Sequence, residues 1–340
     1  RRGTGREGGT GMKTDIKKEK IPWLLSTKHN RQMFLRRKTD IMMVYGFLIL
    51  LLVAAAFSSE VFMKPRNLYN LFSANTGLLL VTFAQLFVIS LGGVDLSVGS
   101  VISVVNVVLI TLMNDSPVSW FAAIAASLAI GAAVGLFNGL LVVKGNMQPI
   151  IATLATQTIF AGAALFVMDI PGGTMPSALS KFIAKGWGYK FPMLYVAAIT
   201  AAVWLVINRT GFGRSLMAVG GSEQAAESSG IPVARTKILA FVASGLLTAV
   251  AAVCITAYTT SGNPLVGEAY TQRSITTAVV GGAALAGGRC SVVGCLAAVL
   301  IMGIINNLLN LLGMVAYYQY VMQGVILVAA LAVSAIRIKR

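Results

Sequence analysis

The residues best placed to do chemistry lie in Gly92-Gly93-Val94-Asp95-Leu96-Ser97-Val98-Gly99-Ser100, where three glycines and an acid interrupt an otherwise apolar stretch. A carboxylate in such a setting is a functional-site candidate, because an ionisable group inside a membrane is costly to keep. The broken backbone points the same way. Unpaired N–H and C=O groups at membrane depth must be satisfied by protein or by a water-lined cavity, so this segment should face a bundle interior. Asp95 has two compatible roles here: contact with a passing solute, or starting the following helix by accepting hydrogen bonds from its free N–H groups, a role Ser97 could share. Asn138 and Asn307, with Asn306, Asn310 and Gln323, are further polar groups in apolar surroundings and can act as interhelical glue or as solute donors. Gly92, Gly93, Asp95, Ser97, Asn138 and Asn307 are the candidates for the wall of a translocation path.

Little else in the sequence supports catalysis. A single histidine, His29, lies in a basic tail, and no metal cluster or nucleophile–base pair can be assembled. No catalytic residue, metal site or cofactor is therefore expected. Cys254, Cys290 and Cys295 sit in or beside apolar stretches without paired spacing and read as reduced packing residues. No Walker A pattern, GxxxxGK[ST], occurs, so any ATP-driven step needs another chain.

The elements that must hold these residues are apolar helices. Of the 340 residues, 56% are hydrophobic and 11% charged, far from a water-solvated domain. The expected fold is an all-α polytopic transmembrane bundle of about ten spans with glycine-rich broken helices, near 41–58, 71–91, 96–113, 118–142, 149–168, 191–207, 238–258, 274–287, 291–312 and 317–336. A second interruption, Gly281-Gly282-Ala283-Ala284-Leu285-Ala286-Gly287-Gly288-Arg289, hints at a duplicated architecture, although close helix packing would also explain its glycines.

The net charge of +16 is concentrated in the N-terminal tail, a few loops and the last residues, which reads as membrane topology and not as a nucleic-acid surface. Residues 1–40 are then a basic cytoplasmic tail, 41–336 the membrane domain and 337–340 a cytoplasmic C-terminus. Alternation of the spans returns 208–237 to the cytoplasm and puts 169–190 and 259–273 outside, with Lys181, Lys185 and Lys190 running against the charge rule. Met12 is expected to be the true start, because Glu7-Gly8-Gly9 is what a translated ribosome-binding site would encode; the alternative is a disordered basic extension. No apolar core precedes Ile41, so no cleavable signal peptide is expected.

Loop 208–237 holds a short Ala-rich helix candidate from Ser222 to Ser229, with Ser222 as cap and Gly230 followed by Pro232 as stop. Such a helix could dock into a partner's groove, the alternative being an ordinary connection.

From Ile41 onward the chain resembles the permease subunits of bacterial ABC importers for monosaccharides, the ribose, xylose and autoinducer-type group. Gly92 to Gly99 matches the GG-[IV]-DLSVG signature of that family. Phe137-Asn138-Gly139-Leu140, Gln148 to Leu154, Thr210-Gly211-Phe212-Gly213-Arg214 and Asn307 to Leu312 look like further family runs. Gly221 with Gln224-Ala225-Ala226 before Gly230-Ile231 is similar to the element by which importer permeases engage their ATPases, with Gln224 in place of the usual glutamate. Where the family has an acidic stretch, this sequence reads Thr271-Gln272-Arg273-Ser274. The resemblance implies a multi-pass protein of the bacterial inner membrane, with both termini cytoplasmic. It also implies three partners besides the lipid bilayer: an ABC ATPase subunit, a periplasmic or lipoprotein solute-binding protein, and a second permease chain, identical or not. Gly213, Arg214, Gly221, Gln224, Ala225, Ala226, Gly230 and Ile231 would form the ATPase-coupling loop. The rival class is an ion-coupled secondary transporter, which normally places several ionisable groups in the membrane interior; here Asp95 is essentially the one found.

Overall fold

A computed structural model describes residues 42–113, 117–186 and 190–314, together with 318, 321, 324, 325 and 328. The tail with Met12 and His29, Gln323 and the C-terminal residues 337–340 lie outside the described residues, as does most of the expected span 317–336; the positions described within that span are helical.

The described residues form helices joined by turns and short loops, with one isolated bridge between Gly172 and Gly262. In chain order the helices are α1 (Met42–Ser58), α2 (Pro65–Ser90), α3 (Val98–Leu112), α4 (Pro117–Val143), α5 (Pro149–Val167), α6 (Ser177–Lys185), α7 (Lys190–Arg209), α8 (Gly211–Gly221), α9 (Glu223–Ser228), α10 (Val233–Thr259), α11 (Glu268–Val280) and α12 (Val292–Leu311). Six of them, α2, α4, α5, α7, α10 and α12, are long and apolar enough to cross a membrane, and α1 and α3 are shorter apolar helices. The chain is thus a polytopic helical membrane bundle, and ten is an approximate count of its spans.

The ends of these helices follow local chemistry. Pro65 and Pro149 open α2 and α5 from the first turn, where the missing N–H costs nothing. Ser291 caps α12 by accepting from the Gly294 N–H at 3.0 Å, and Thr210 caps α8 by accepting from the Gly213 N–H at 3.2 Å. At the centre α10 lies against α2, α3 and α4. Its contact with α4 is made by small residues: a Cβ on Gly131 would come within 2.6 Å of Ala249 Cβ, and one on Gly135 within 2.9 Å of Val242 Cα. Close backbone approach of this kind is how membrane helices associate without a hydrophobic driving force.

Two of the helices begin inside the bundle. The Gly267 N–H donates to Ser103 Oγ at 3.1 Å, so α11 starts beside the early turns of α3. The preceding segment runs along α3, where the Asn263 N–H donates to Asn106 Oδ1 at 2.6 Å and Asn106 Nδ2 donates to the Ser261 carbonyl at 3.2 Å. A helix therefore begins at Glu268 and not at 274, within the stretch 259–273. Residues 268–273 belong to a half-helix at bundle depth, which hydropathy misses because Glu268, Gln272 and Arg273 make it polar.

Candidate functional site at the two glycine breaks

The first break turns α2 back on itself. Gly92 adopts a φ of +82°, its N–H donates to the Ile89 carbonyl at 2.9 Å, and the Gly93 N–H donates to the Val88 carbonyl at 3.1 Å. This is a Schellman stop, which requires a left-handed residue that glycine supplies without strain. The second break repeats it. Gly282 has a φ of +93°, its N–H donates to the Val279 carbonyl at 2.9 Å, and the Ala283 N–H donates to the Ala278 carbonyl at 3.0 Å. The same glycine stop also closes α9 at Gly230 and α12 at Gly313, so it is a shared helix ending and not a mark of duplication.

Beyond the stop, the chain climbs back beside α2 with its polar groups paired. Gln85 of α2 acts as a surrogate strand, donating from Nε2 to the Asp95 carbonyl at 2.6 Å and accepting the Asp95 N–H on Oε1 at 3.3 Å. Thr153 of α5 does the same on the other side: its hydroxyl lies 3.1 Å from the Val94 carbonyl and accepts the Leu96 N–H at 3.1 Å. A Cβ on Gly93 would come within 2.8 Å of Pro149 Cβ, so glycine lets the break approach the start of α5.

Asp95 is buried, with 2% of its surface exposed. Its Oδ1 accepts from the Ser97 N–H at 3.0 Å and the Ser97 hydroxyl at 2.6 Å, and its Oδ2 accepts from the Ser244 hydroxyl of α10 at 3.1 Å. A chain of bonds continues away from it: Asn138 Nδ2 of α4 donates to Ser97 Oγ at 2.8 Å, and Thr156 Oγ1 of α5 donates to Asn138 Oδ1 at 2.7 Å. One carboxylate thereby ties the break to α4, α5 and α10. Asp95 thus accepts from protein donors, two of them on Ser97, the residue immediately before α3. Ser97, at the first position before α3, makes no capping bond of its own.

Of the six candidate path residues, the structure brings five together: Gly92, Gly93, Asp95, Ser97 and Asn138. Asn307 is elsewhere, exchanging amide hydrogen bonds of 3.1 and 3.0 Å with Asn67 to join α12 to the start of α2. Gln85, Thr153, Thr156 and Ser244 complete the network. Thr153 stands inside a motif quoted above, whereas Gln85 was legible only as a polar residue in an apolar run.

The loop 208–237 touches both breaks. Gly220, near the end of α8, sits so close to the Ser90 carbonyl and the Gly288 N–H that a Cβ would overlap them. Gly288 donates its N–H to that same Ser90 carbonyl at 2.9 Å, and a Cβ on Gly287 would lie 2.8 Å from the Gly92 nitrogen. Four glycines thus meet at one junction: Gly92 of the first break, Gly287 and Gly288 of the second, and Gly220 of α8. Phe212 of α8 stacks on Phe87 of α2 with ring centres 6.2 Å apart. Ser90 Oγ, fully buried at this junction, is the one buried side-chain polar atom without a hydrogen-bond partner among the described residues.

The short helix α9 forms where the sequence places it. Ser222 Oγ accepts the Ala225 N–H at 3.3 Å, Glu223 pairs with Lys237 at 2.7 Å, and Gly230, with a φ of +78°, ends the helix. Arg214, Gly221, Gln224, Ala225 and Gly230 are exposed, Gly213 and Ala226 are buried and Ile231 is half-buried. Ala226 therefore packs the loop onto its own chain, and the outward surface of α9 belongs to Gln224, Ala225, Glu227 and Ser228.

Among the described residues no group of His, Cys, Asp and Glu could hold a metal ion. Among the described residues Cys254, Cys290 and Cys295 stand outside any disulfide, the last two buried.

Comparison with known proteins supplies the family. Residues 67–331 match the family described as branched-chain amino acid transport system / permease component. The ribose import permease protein RbsC of Bacillus subtilis is 39% identical over 290 residues, covering 84% of this chain and 89% of its own length. The L-arabinose transport system permease protein AraH of Escherichia coli is 35% identical over 293 residues, 84% of this chain and 88% of its own. The D-allose transport system permease protein AlsC of Escherichia coli is 31% identical over 296 residues, 85% of this chain and 91% of its own. No solved structure matches. A helical membrane bundle with two backbone breaks braced against one loop, aligned along nearly its whole length with transport permeases, leaves one conclusion: the chain belongs to the branched-chain amino acid transport system / permease component family.

Proposed function

We propose that this chain is the membrane-spanning subunit of an ATP-binding-cassette importer and forms half of the path for a sugar or sugar-like solute. The relatives named for ribose, arabinose and allose support a sugar over the amino acids of the family description. A separate ATPase subunit would engage loop 208–237, a periplasmic or lipoprotein binding protein would deliver the solute, and a second permease chain would complete the path. Loop 208–237 and both termini would be cytoplasmic, in a bacterial inner membrane. The reading is carried by one observation: Gly220 at the end of α8 meets the Ser90 carbonyl beside the first break and the Gly288 N–H of the second, so a displacement of the loop reaches both discontinuities at once.

In this reading Gly92, Gly93, Asp95, Ser97 and Asn138 build the wall of the path and hold its shape, with Asp95 facing the protein and not the solute. Asn307 fastens α12 to α2 at a distance from them. An ion-coupled transporter gains two ionisable groups from the fold, Glu268 and Arg273 on α11, but the family relatives favour the importer.

The test is to recover the proteins that co-purify with the chain from its native membrane and to titrate the binding protein with sugars, polyols and nucleosides. A Walker-bearing ATPase and a binding protein saturated by one sugar are expected. Recovery of the chain alone, fully active in uptake, would contradict the proposal.

A further inference from the structure

Polar residues on α11 stand where a membrane protein can least accommodate them. Gly267, immediately before the helix, packs against Gly99 so closely that a Cβ on either would overlap the other's backbone. Gly99 lies 13 residues before Leu112, the end of α3, which at 1.5 Å per residue puts Gly267 about 20 Å along the bundle axis from that end. Thr271 confirms the level one turn further on, with its hydroxyl 3.5 Å from the Leu96 carbonyl at the first break. The hydrocarbon core is about 30 Å thick, so with the end of α3 at one face the start of α11 lies inside it.

At this depth Glu268 and Gln272 are exposed, while Thr271, Ser274 and the residues from Thr276 to Val279 are buried. The two exposed residues are four apart and share one helix face. Arg273, beside them, is half-buried, and between α11 and α12 the exposed positions are Gly282, Ala286 and Arg289. Turning a carboxylate toward lipid at this level would cost about 2.5–3.5 kcal/mol or more. Burial elsewhere in the chain is not what the structure gives it. What is left for this face is the water of a path, at the seam that a second permease chain would close.

We propose that the Glu268–Gln272 face of α11 lines the hydrated solute path and exchanges hydrogen bonds with the hydroxyls of the solute. A carboxylate accepts from hydroxyls, and an amide both donates and accepts, so the pair can exchange hydrogen bonds with successive hydroxyl groups of a moving solute without holding any of them. This inference rests on the permease reading and adds to it a surface that none of the candidate path residues provides.

The experiment places Glu268→Cys and Gln272→Cys, one at a time, in the importer assembled with its ATPase and binding protein in proteoliposomes. The probe is a membrane-impermeant, negatively charged methanethiosulfonate, with the unchanged chain measuring any reaction at Cys254, Cys290 and Cys295. Both introduced thiols are expected to react in at least one nucleotide state, and their modification to stop uptake. A face turned to lipid would leave both thiols inert to the charged reagent in every nucleotide state while a lipid-soluble maleimide labels them, a face sealed against the second chain would leave them inert to both reagents, and either result would overturn the proposal. Gln272→Leu keeps the test open if a cysteine variant does not assemble: its maximal uptake rate should fall about tenfold, roughly the worth of a hydrogen bond lost along the path, and an unchanged rate would count against the proposal. Absence of ATP-driven uptake by the unchanged chain would instead contradict the permease reading, so the two failures are distinguishable.

Discussion

Asp95 accepts three hydrogen bonds from buried donors, and this fixes what each substitution there should do. Asp95→Ala leaves the Ser97 N–H and the hydroxyls of Ser97 and Ser244 without their acceptor, at about 1–3 kcal/mol for a buried group left unsatisfied. The expected outcome is a clear drop in the thermal unfolding midpoint of the detergent-solubilised protein, larger than for Ser97→Ala, which preserves the backbone donor's bond. Ser90→Ala should behave in the opposite way. Its hydroxyl has no hydrogen-bond partner, so its removal is expected to leave the midpoint unchanged or slightly raised, as measured in the same assay. A midpoint for Asp95→Ala equal to that of the unchanged protein would mean that the network does not hold the break.

At the scale of elements, the glycines decide which helices can touch. Gly131→Val would drive a side chain into Ala249 and the Gly245 backbone, so α4 should part from α10 and the protein should aggregate or be degraded in place of reaching the membrane; gel filtration of solubilised protein checks this. On α9 the structure separates two effects. Ala225→Arg, on an exposed position, is expected to lower uptake per ATP hydrolysed without lowering the unfolding midpoint, whereas Ala226→Glu, at a buried position, should lower the midpoint itself. Much of this was legible beforehand. The long apolar runs gave α2, α4, α5, α7, α10 and α12, and Ser222, Gly230 and Pro232 marked α9 because caps and stops depend on local residues. The half-helix α11 was not legible, because its depth is set by Gly267 meeting Gly99 and by Asn106 gripping the segment before it, contacts between residues more than 150 positions apart. The pairing of Gln85 with the Asp95 backbone was hidden for a related reason: a lone glutamine in an apolar helix does not show which carbonyl it will find.

At the scale of the whole molecule, two broken helices meet one loop. The breaks end in the same glycine turn, share the Ser90 carbonyl and are touched by Gly220, so the bundle has one place where motion of the loop can reach both. The account requires that the motion be driven by nucleotide on another chain and not by an ion gradient acting on Asp95, Glu268 or Arg273. The direct measurement is uptake of labelled ribose, arabinose and allose into proteoliposomes holding the chain with its ATPase and binding protein, with and without ATP on the ATPase side and with proton and sodium gradients collapsed by ionophores. The account predicts that uptake of at least one sugar requires ATP and persists with both gradients abolished. Uptake that continues without ATP and stops when a gradient is collapsed would contradict it.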